Sequence, residues 1–356
     1  MNKKFFAAFT AMVLSFSVVL VACTNKKNLE KYEETQVKMD TPMTLRAYGP
    51  SSKKAVQDAF KRIDEIEKLT STTIEDSDVS KINKSAGEGF VKVDKDVFKI
   101  IKESIKYSKL SNGAYDITIG PIIKLWGIGT KDAKVPSQNE INQKKELVGY
   151  DKVKLNESEE SVMLEKKGMS IDLGSIAKGY AADEAARIIK SYGIEKAIVN
   201  LGGSSIYLMG GKSENEPWTI GIQHPRKEGE GVYLCKLKAK DKILSTSGDY
   251  ERYFMKSGKR YHHIMDPSTG APADNGVTGV TIVLDRPDNF EEAMIADVLS
   301  TIVFVKGAED GMNFIKAIDG ADALIATSDN KLISTQGLKN KIGDISEEYK
   351  YVAQGR

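Results

Sequence analysis

The sequence predicts an α+β fold, a largely antiparallel sheet with packed helices, and three observations lead there. Strand-like runs at 196–200, 204–209, 218–222, 232–237 and 277–284 follow one another through glycine-rich or polar turns, several without a helix between them. Helical spacing of apolar residues falls before and after this block, not in alternation with it, which disfavours a doubly wound parallel sheet. The chain has 356 residues, 40% of them hydrophobic, enough to bury a sizeable core.

At the N-terminus Lys3 and Lys4 precede an apolar run over 5–22, the layout of a secretory signal peptide. The run ends Leu20-Val21-Ala22-Cys23, which resembles a bacterial lipobox. Residues 1–22 are therefore expected to be removed, Cys23 to carry lipid, and 23–34 to form a polar tether before a single domain at 35–356; an uncleaved membrane anchor is the alternative. Of 52 Lys and Arg, only Lys3 and Lys4 lie in the leader, which leaves 50 against 50 Asp and Glu. That balance gives no support for nucleic-acid binding. With Cys23 assigned to lipid, Cys235 has no intramolecular disulfide partner and reads as a packing residue. Two cysteines and three histidines also argue against zinc, so any metal should be held by oxygen.

Residues 33–48 alternate apolar and polar and read as two short strands interrupted at Pro42. Ser51 or Ser52 caps a helix reaching about Leu69, with Val56, Phe60, Ile63 and Ile66 inward. A polar loop at 71–78 runs into 79–83, and a short strand follows near 90–93. Asp94 caps a second helix, with Val97, Ile100, Ile101 and Ile105 inward, stopped by Ser111-Asn112-Gly113. Residues 114–121 read as a strand or extended loop leading into 122–126. Residues 127–168 read as variable surface, with strand-like character at Val153 and Val162. A strand ends near Leu173, Gly174 turns the chain, and a helix starts with Ser175 at or near its cap and stops at Gly193. The chain closes with helices at 290–305 and 308–318 and a hairpin about Asp329-Asn330.

Three stretches carry candidate chemistry. Arg260 to Gly270 holds His262 and His263 beside Asp266-Pro267-Ser268-Thr269-Gly270, a rigid polar turn; a base or phosphate contact and a decorated surface turn are both open readings. In Asp172-Leu173-Gly174-Ser175-Ile176-Ala177-Lys178, a glycine turn feeds a helix N-terminus with a lysine in its first turn. That arrangement suits an anion, or is an ordinary connection with a solvated lysine. In the helix 291–304, Asp297 and Thr301 lie one turn apart among apolar neighbours. A carboxylate there needs a partner: the pair would offer two oxygens to Mg²⁺, or simply bond each other.

Taken together these stretches resemble the FAD:protein FMN transferase family, also called the ApbE or flavin transferase family. The matching pieces span about 36–330: Met39-Asp40-Thr41-Pro42, Ser77-Asp78-Val79-Ser80-Lys81-Ile82-Asn83, Gly113-Ala114-Tyr115-Asp116-Ile117-Thr118, the Asp172 to Tyr180 block, Asn200-Leu201-Gly202-Gly203, Thr246-Ser247-Gly248-Asp249-Tyr250, His263-Ile264-Met265-Asp266-Pro267 and Asp297 to Thr301. The resemblance implies Mg²⁺-dependent transfer of FMN from FAD to a Thr or Ser hydroxyl of extracytoplasmic target proteins, with release of AMP. It implies Asp297, Thr301 and the main-chain carbonyl of Ser175 as Mg²⁺ ligands. Met39, Ala114, Tyr115, Asp116, Asp172 and Lys178 match FAD-contacting positions, and His263 matches the catalytic histidine. This chain departs from the family in having Asp40 where a glycine is usual, and Thr72-Thr73-Ile74 where many members carry a flavin-contacting aromatic. FAD pyrophosphatase activity and a non-catalytic, flavin-binding lipoprotein are the competing functions; the anchor would put any of them on the outer face of the cell membrane.

Overall fold

In a computed structural model, residues 30–229, 231–285 and 290–354 are described. The leader and Cys23 lie outside the described residues. β1 (Lys31–Lys38) begins within the segment expected as tether and pairs antiparallel with β2 (Thr41–Tyr48). Their turn is made by Met39 and Asp40, both at positive φ (47° and 57°), as a two-residue hairpin requires. The break therefore falls before Pro42, which sits inside β2 rather than interrupting the strands.

α1 (Ser52–Thr70), α2 (Asp78–Lys84) and α3 (Lys95–Leu110) follow, with β3 (Val91–Lys92) between the last two. Asp94 caps α3 as expected, its side chain accepting from the Asp96 N–H. Residues 114–121 form no strand. Asp116 caps a short 3₁₀ turn, Ile117–Ile119, and α4 (Gly120–Trp126) continues from it. The surface stretch that follows contains α5 (Gln138–Lys145), started by a Ser137/Glu140 capping box, and then β4 (Val153–Asn156) and β5 (Ser161–Leu164). The strand expected before Leu173 is also absent: the Asn83 amide bonds both the N–H and the C=O of Ile171, so this backbone is satisfied by a side chain instead of a ladder.

α6 (Ala177–Ser191) leads to β6 (Lys196–Leu201), β7 (Ser205–Met209), β8 (Trp218–Gln223), β9 (Tyr233–Ala239) and β10 (Lys242–Gly248). Two small hairpins come next: β11 (Tyr253–Lys256) with β12 (Lys259–His262), and β13 (Met265–Asp266) with β14 (Ala271–Pro272). The chain finishes with β15 (Val277–Asp285), α7 (Glu292–Lys306), α8 (Ala308–Lys316), β16 (Ala321–Thr327), β17 (Lys331–Thr335), β18 (Ile342–Gly343) and β19 (Lys350–Gln354).

The main sheet has nine strands in the order β1-β2-β6-β7-β10-β15-β16-β17-β19, antiparallel at every join except β17–β19. Strand alternation gives it two apolar faces. Met43, Leu45, Val199, Ile243 and Ile282 meet Phe60 and Ile63 of α1, Ala182 and Ile189 of α6, and Leu299 and Phe304 of α7. On the other face Ile206, Leu208 and Leu244 pack against Trp218, Ile222 and Leu237 of a three-stranded sheet, β18-β9-β8. Cys235 lies in this second core as a free thiol, and burial pushes it up to about 12. No helix among the described residues is long and apolar enough to cross a membrane.

Candidate active site

The N-termini of α6 and α7 cross, and each helix caps the other. Asp183 of α6, fully buried, accepts from the Ala293 and Met294 N–H groups in the first turn of α7 (3.0 and 2.9 Å). In return Asp297 of α7 accepts from the Gly179 N–H in the first turn of α6 (2.8 Å). The crossing needs a glycine at 179, since a Cβ there would lie 2.2 Å from the Ala293 carbonyl oxygen. The other oxygen of Asp297 accepts from Ser205 Oγ of β7 (2.9 Å) and Ser245 Oγ of β10 (2.6 Å). Burial pushes its carboxyl above the usual range, while Lys178, the two serines and Gly179 pull it back toward the ion. Burial likewise lowers the Lys178 ammonium, against the attraction of Asp297.

One consequence falls on Ser175. The Gly179 N–H would close a helical turn onto the Ser175 carbonyl, but Asp297 takes it, and no backbone N–H among the described residues donates to that carbonyl. Ser175 lies near the helix start as expected, one residue before the cap position, Ile176. The Ser175 carbonyl is left without a backbone donor, one helical turn before the Gly179 N–H that Asp297 holds. Thr301 stands one turn on from Asp297, its hydroxyl 3.5 Å from the Asp297 carbonyl oxygen. No cluster of three or more His, Cys, Asp or Glu that would hold a metal occurs among the described residues. The donor set is one carboxylate, one hydroxyl and one free carbonyl, all hard oxygens, and it fits Mg²⁺ completed by water and substrate phosphate.

His263 comes just after β12. Its backbone N–H donates to the Arg252 carbonyl (3.0 Å), and its Nδ1 lies 3.3 Å from the same oxygen. A carbonyl only accepts, so Nδ1 carries the proton and Nε2 keeps its lone pair. Burial, reinforced by Arg252, His262 and Lys178, lowers this imidazole to about 3. His262 has the structural role: its Nε2 donates to the Ala273 carbonyl (2.9 Å) and its Nδ1 accepts from the Ile264 N–H. Asp266 shapes the following turn through the Ser268 N–H (2.8 Å), and Thr269 donates to the Asp266 carbonyl.

The remaining candidates frame the site. Asp116 accepts from the Thr118 N–H and hydroxyl and from the Tyr150 N–H, which fixes the loop holding Ala114 and Tyr115. The Tyr115 ring is buried in the core, its hydroxyl 3.4 Å from Ser175 Oγ, and burial raises its pKa. Asp172 accepts from the Gly174 N–H (2.8 Å) and so shapes the turn into Ser175. Met39 is strained at positive φ, with its N–H held by Glu67 (2.9 Å). Asp40 shares the left-handed turn, which accounts for the glycine common at this position in the resembling family.

A sequence model described as the ApbE family matches residues 39–325. The chain belongs to the ApbE family. The FAD:protein FMN transferase of Klebsiella pneumoniae (strain 342) is 32% identical over 321 residues, covering 90% of this chain and 97% of the relative. That of Treponema pallidum (strain Nichols) is 29% identical, covering 90% and 91%. Among solved structures, the ApbE protein of Thermotoga maritima superposes with a TM-score of 0.79 at 33% identity, covering 88% of this chain and 99% of that one. The flavin transferase ApbE of Vibrio cholerae gives 0.77 at 28%, with the same coverage. The α+β architecture inferred from the sequence is therefore that of the ApbE structures.

Ser205, Ser245, Gly179 and Arg252 escaped the sequence reading as site residues. The neighbouring motifs Asn200 to Gly203 and Thr246 to Tyr250 were the available signal, since they bracket the two serines that hold Asp297.

Proposed function

We propose that this protein transfers FMN from FAD to a Thr or Ser hydroxyl of an acceptor protein and releases AMP. The observation that carries the reading is the convergence of the Asp297 carboxylate, the free Ser175 carbonyl and Lys178 with a histidine whose Nε2 is open. Asp297, Thr301 and the Ser175 carbonyl would hold Mg²⁺, whose chemistry when bound is to neutralise charge on the pyrophosphate. Lys178, in the first turn of α6, adds positive charge at a helix N-terminus, where phosphate oxygens are favoured. Met39, Ala114, Tyr115, Asp116 and Asp172 are assigned to binding and orienting FAD.

His263 Nε2 accepts the proton of the acceptor hydroxyl. The hydroxyl oxygen forms a bond to the FMN phosphorus, the bond from that phosphorus to the bridging oxygen breaks, and AMP leaves with the electron pair. The Arg252 carbonyl keeps the imidazole in the tautomer this needs. Negative phosphate beside His263 raises its depressed basicity toward a working value.

Mass spectrometry after incubation with FAD and Mg²⁺, with and without acceptor protein, tests the reading. An FMN adduct on the acceptor together with AMP is expected; FMN and AMP with no adduct would identify hydrolysis instead. Asp297→Asn keeps the size of the side chain but removes the charge, and should lower transfer by about 100-fold or more with the fold retained.

The location is also part of the proposal: lipid on Cys23 holds the enzyme at the outer face of the cell membrane, where its acceptors lie. The support is the Lys3-Lys4 leader and the Leu20 to Cys23 motif. Cys23→Ala should move the protein out of the membrane fraction; retention there would count against lipid anchoring.

A further inference from the structure

A cleft of about 700 Å³ opens between the main sheet and the three-stranded sheet, and none of the candidate FAD, metal or catalytic residues lines it. Its floor is the outer face of the main sheet, with Thr44 and Arg46 of β2, Ile198 and Asn200 of β6, Ile206 of β7 and Thr246 of β10. Its wall is β8: five consecutive residues, Thr219 to Gln223, border it. Side chains of consecutive residues point to opposite faces of a strand, so a cleft touching all five runs along the strand's edge.

That edge is unpaired. Among the described residues β8 ends the order β18-β9-β8, and its only ladder is with β9. The register says which groups are open. The Lys238 N–H donates to the Lys341 carbonyl on the β18 side, so the backbone groups of Lys238, and by alternation of Lys236, point away from β8. Their partners across the ladder, Thr219 and Gly221, then point their own N–H and C=O groups away from β9 and into the cleft. Both residues are exposed. Arg46 is paired with Glu33 and Lys227 with Glu348, and Glu228 and Glu251 add acidic charge to the lining. The open feature is backbone.

One end of the cleft adjoins the segment that holds His263. Tyr250 and Glu251 line the cleft, directly before the Arg252 whose carbonyl holds His263. Ser204 lines it too, and its carbonyl oxygen lies 3.0 Å from Ser245 Oγ, the hydroxyl that donates to Asp297.

We propose that the acceptor protein binds here as an extended segment, adding a strand to the free edge of β8 so that its Thr or Ser hydroxyl is led past Tyr250 and Glu251 toward His263. This rests on the transferase reading above. Recognition of this kind draws affinity from main-chain hydrogen bonds and tolerates varied side chains.

The test uses the full-length protein, FAD, Mg²⁺ and a peptide found to accept FMN in a library of extended peptides with one central threonine. Thr219→Pro removes an N–H that faces the cleft and no N–H of the β8–β9 ladder. It should lower peptide labelling by about tenfold or more while FAD affinity stays unchanged. Independently of any variant, methylating the peptide's backbone nitrogens one at a time should weaken labelling by the wild-type protein at every second position, the signature of a paired strand. Labelling by Thr219→Pro at the wild-type rate, or a methylation scan without alternation, overturns the docking mode alone. A wild-type protein that binds FAD but labels neither peptide nor protein overturns the transfer reading, and this one with it.

Discussion

His263 links the chemistry of the site to the stability of the molecule. The free imidazole titrates near 6.5, whereas burial and the cations Arg252 and Lys178 hold the folded one at about 3. Between those values the unfolded chain binds a proton that the folded chain does not, so the stability this residue confers is complete above 6.5 and is lost as pH falls toward 3. His263→Asn removes that linkage. Urea midpoints at about pH 7.5 and about pH 4.5 should therefore drop less for the variant than for the wild type; equal drops would show that this histidine is not depressed. The same variant should keep FAD affinity and lose transfer by roughly 100-fold to 10,000-fold, the range for removing a positioned base. At this scale the sequence singled out the candidate groups themselves. An acid in an apolar helix and a histidine at a turn break local patterns. Their holders, Gly179, Ser205 and Ser245, are ordinary residues 118, 92 and 52 positions away from Asp297, and only the fold joins them.

At the scale of elements, the crossing of α6 and α7 is the unit that builds the proposed metal face. Each helix contributes an aspartate to the other's first turn, so the carboxylate of Asp297 is aimed by the same contact that locks the helices together. Gly179→Ala puts a methyl group onto the backbone of Ala293 and Met294, which cannot give way as a flexible side chain would. We expect a loss of about 3 kcal/mol in stability, read by urea melting, and loss of transfer even in molecules that remain folded. Near-wild-type stability would mean that α7 can move aside. α1, α3, α6 and α7 were legible because their apolar residues recur at helical spacing and polar caps or glycines mark their ends. β10 was missed because Ser245, Thr246 and Ser247 interrupt the alternation expected of a strand: they serve Asp297, Thr281 and Ser300. The segment before Leu173 was misread for the converse reason, an apolar run whose backbone is satisfied by Asn83.

Across the whole molecule, two cores on opposite faces of one sheet must hold their positions for chemistry and acceptor entry to coincide. The antiparallel layout was readable from consecutive strands, but pairings such as β2 with β6, or β7 with β10, depend on register between distant segments. The link between the layers at the site is Arg226, after β8, which donates through both terminal nitrogens to Asp249 after β10 (2.7 Å each). Asp249 is buried and stands three residues before Arg252, so the small sheet is tied to the loop that holds His263. Lysine keeps the charge at this position but cannot reproduce the planar fork, so Arg226→Lys separates electrostatics from geometry. The variant should lose about 1–2 kcal/mol of stability. It should also lower the transfer rate while FAD affinity, which the proposal assigns to other residues, remains. Stopped-flow FAD binding beside FMN-adduct mass spectrometry reads the two separately. An equal fall in both would place Arg226 in the support of the entire site, and no change in either would mean that the two layers keep their register without it.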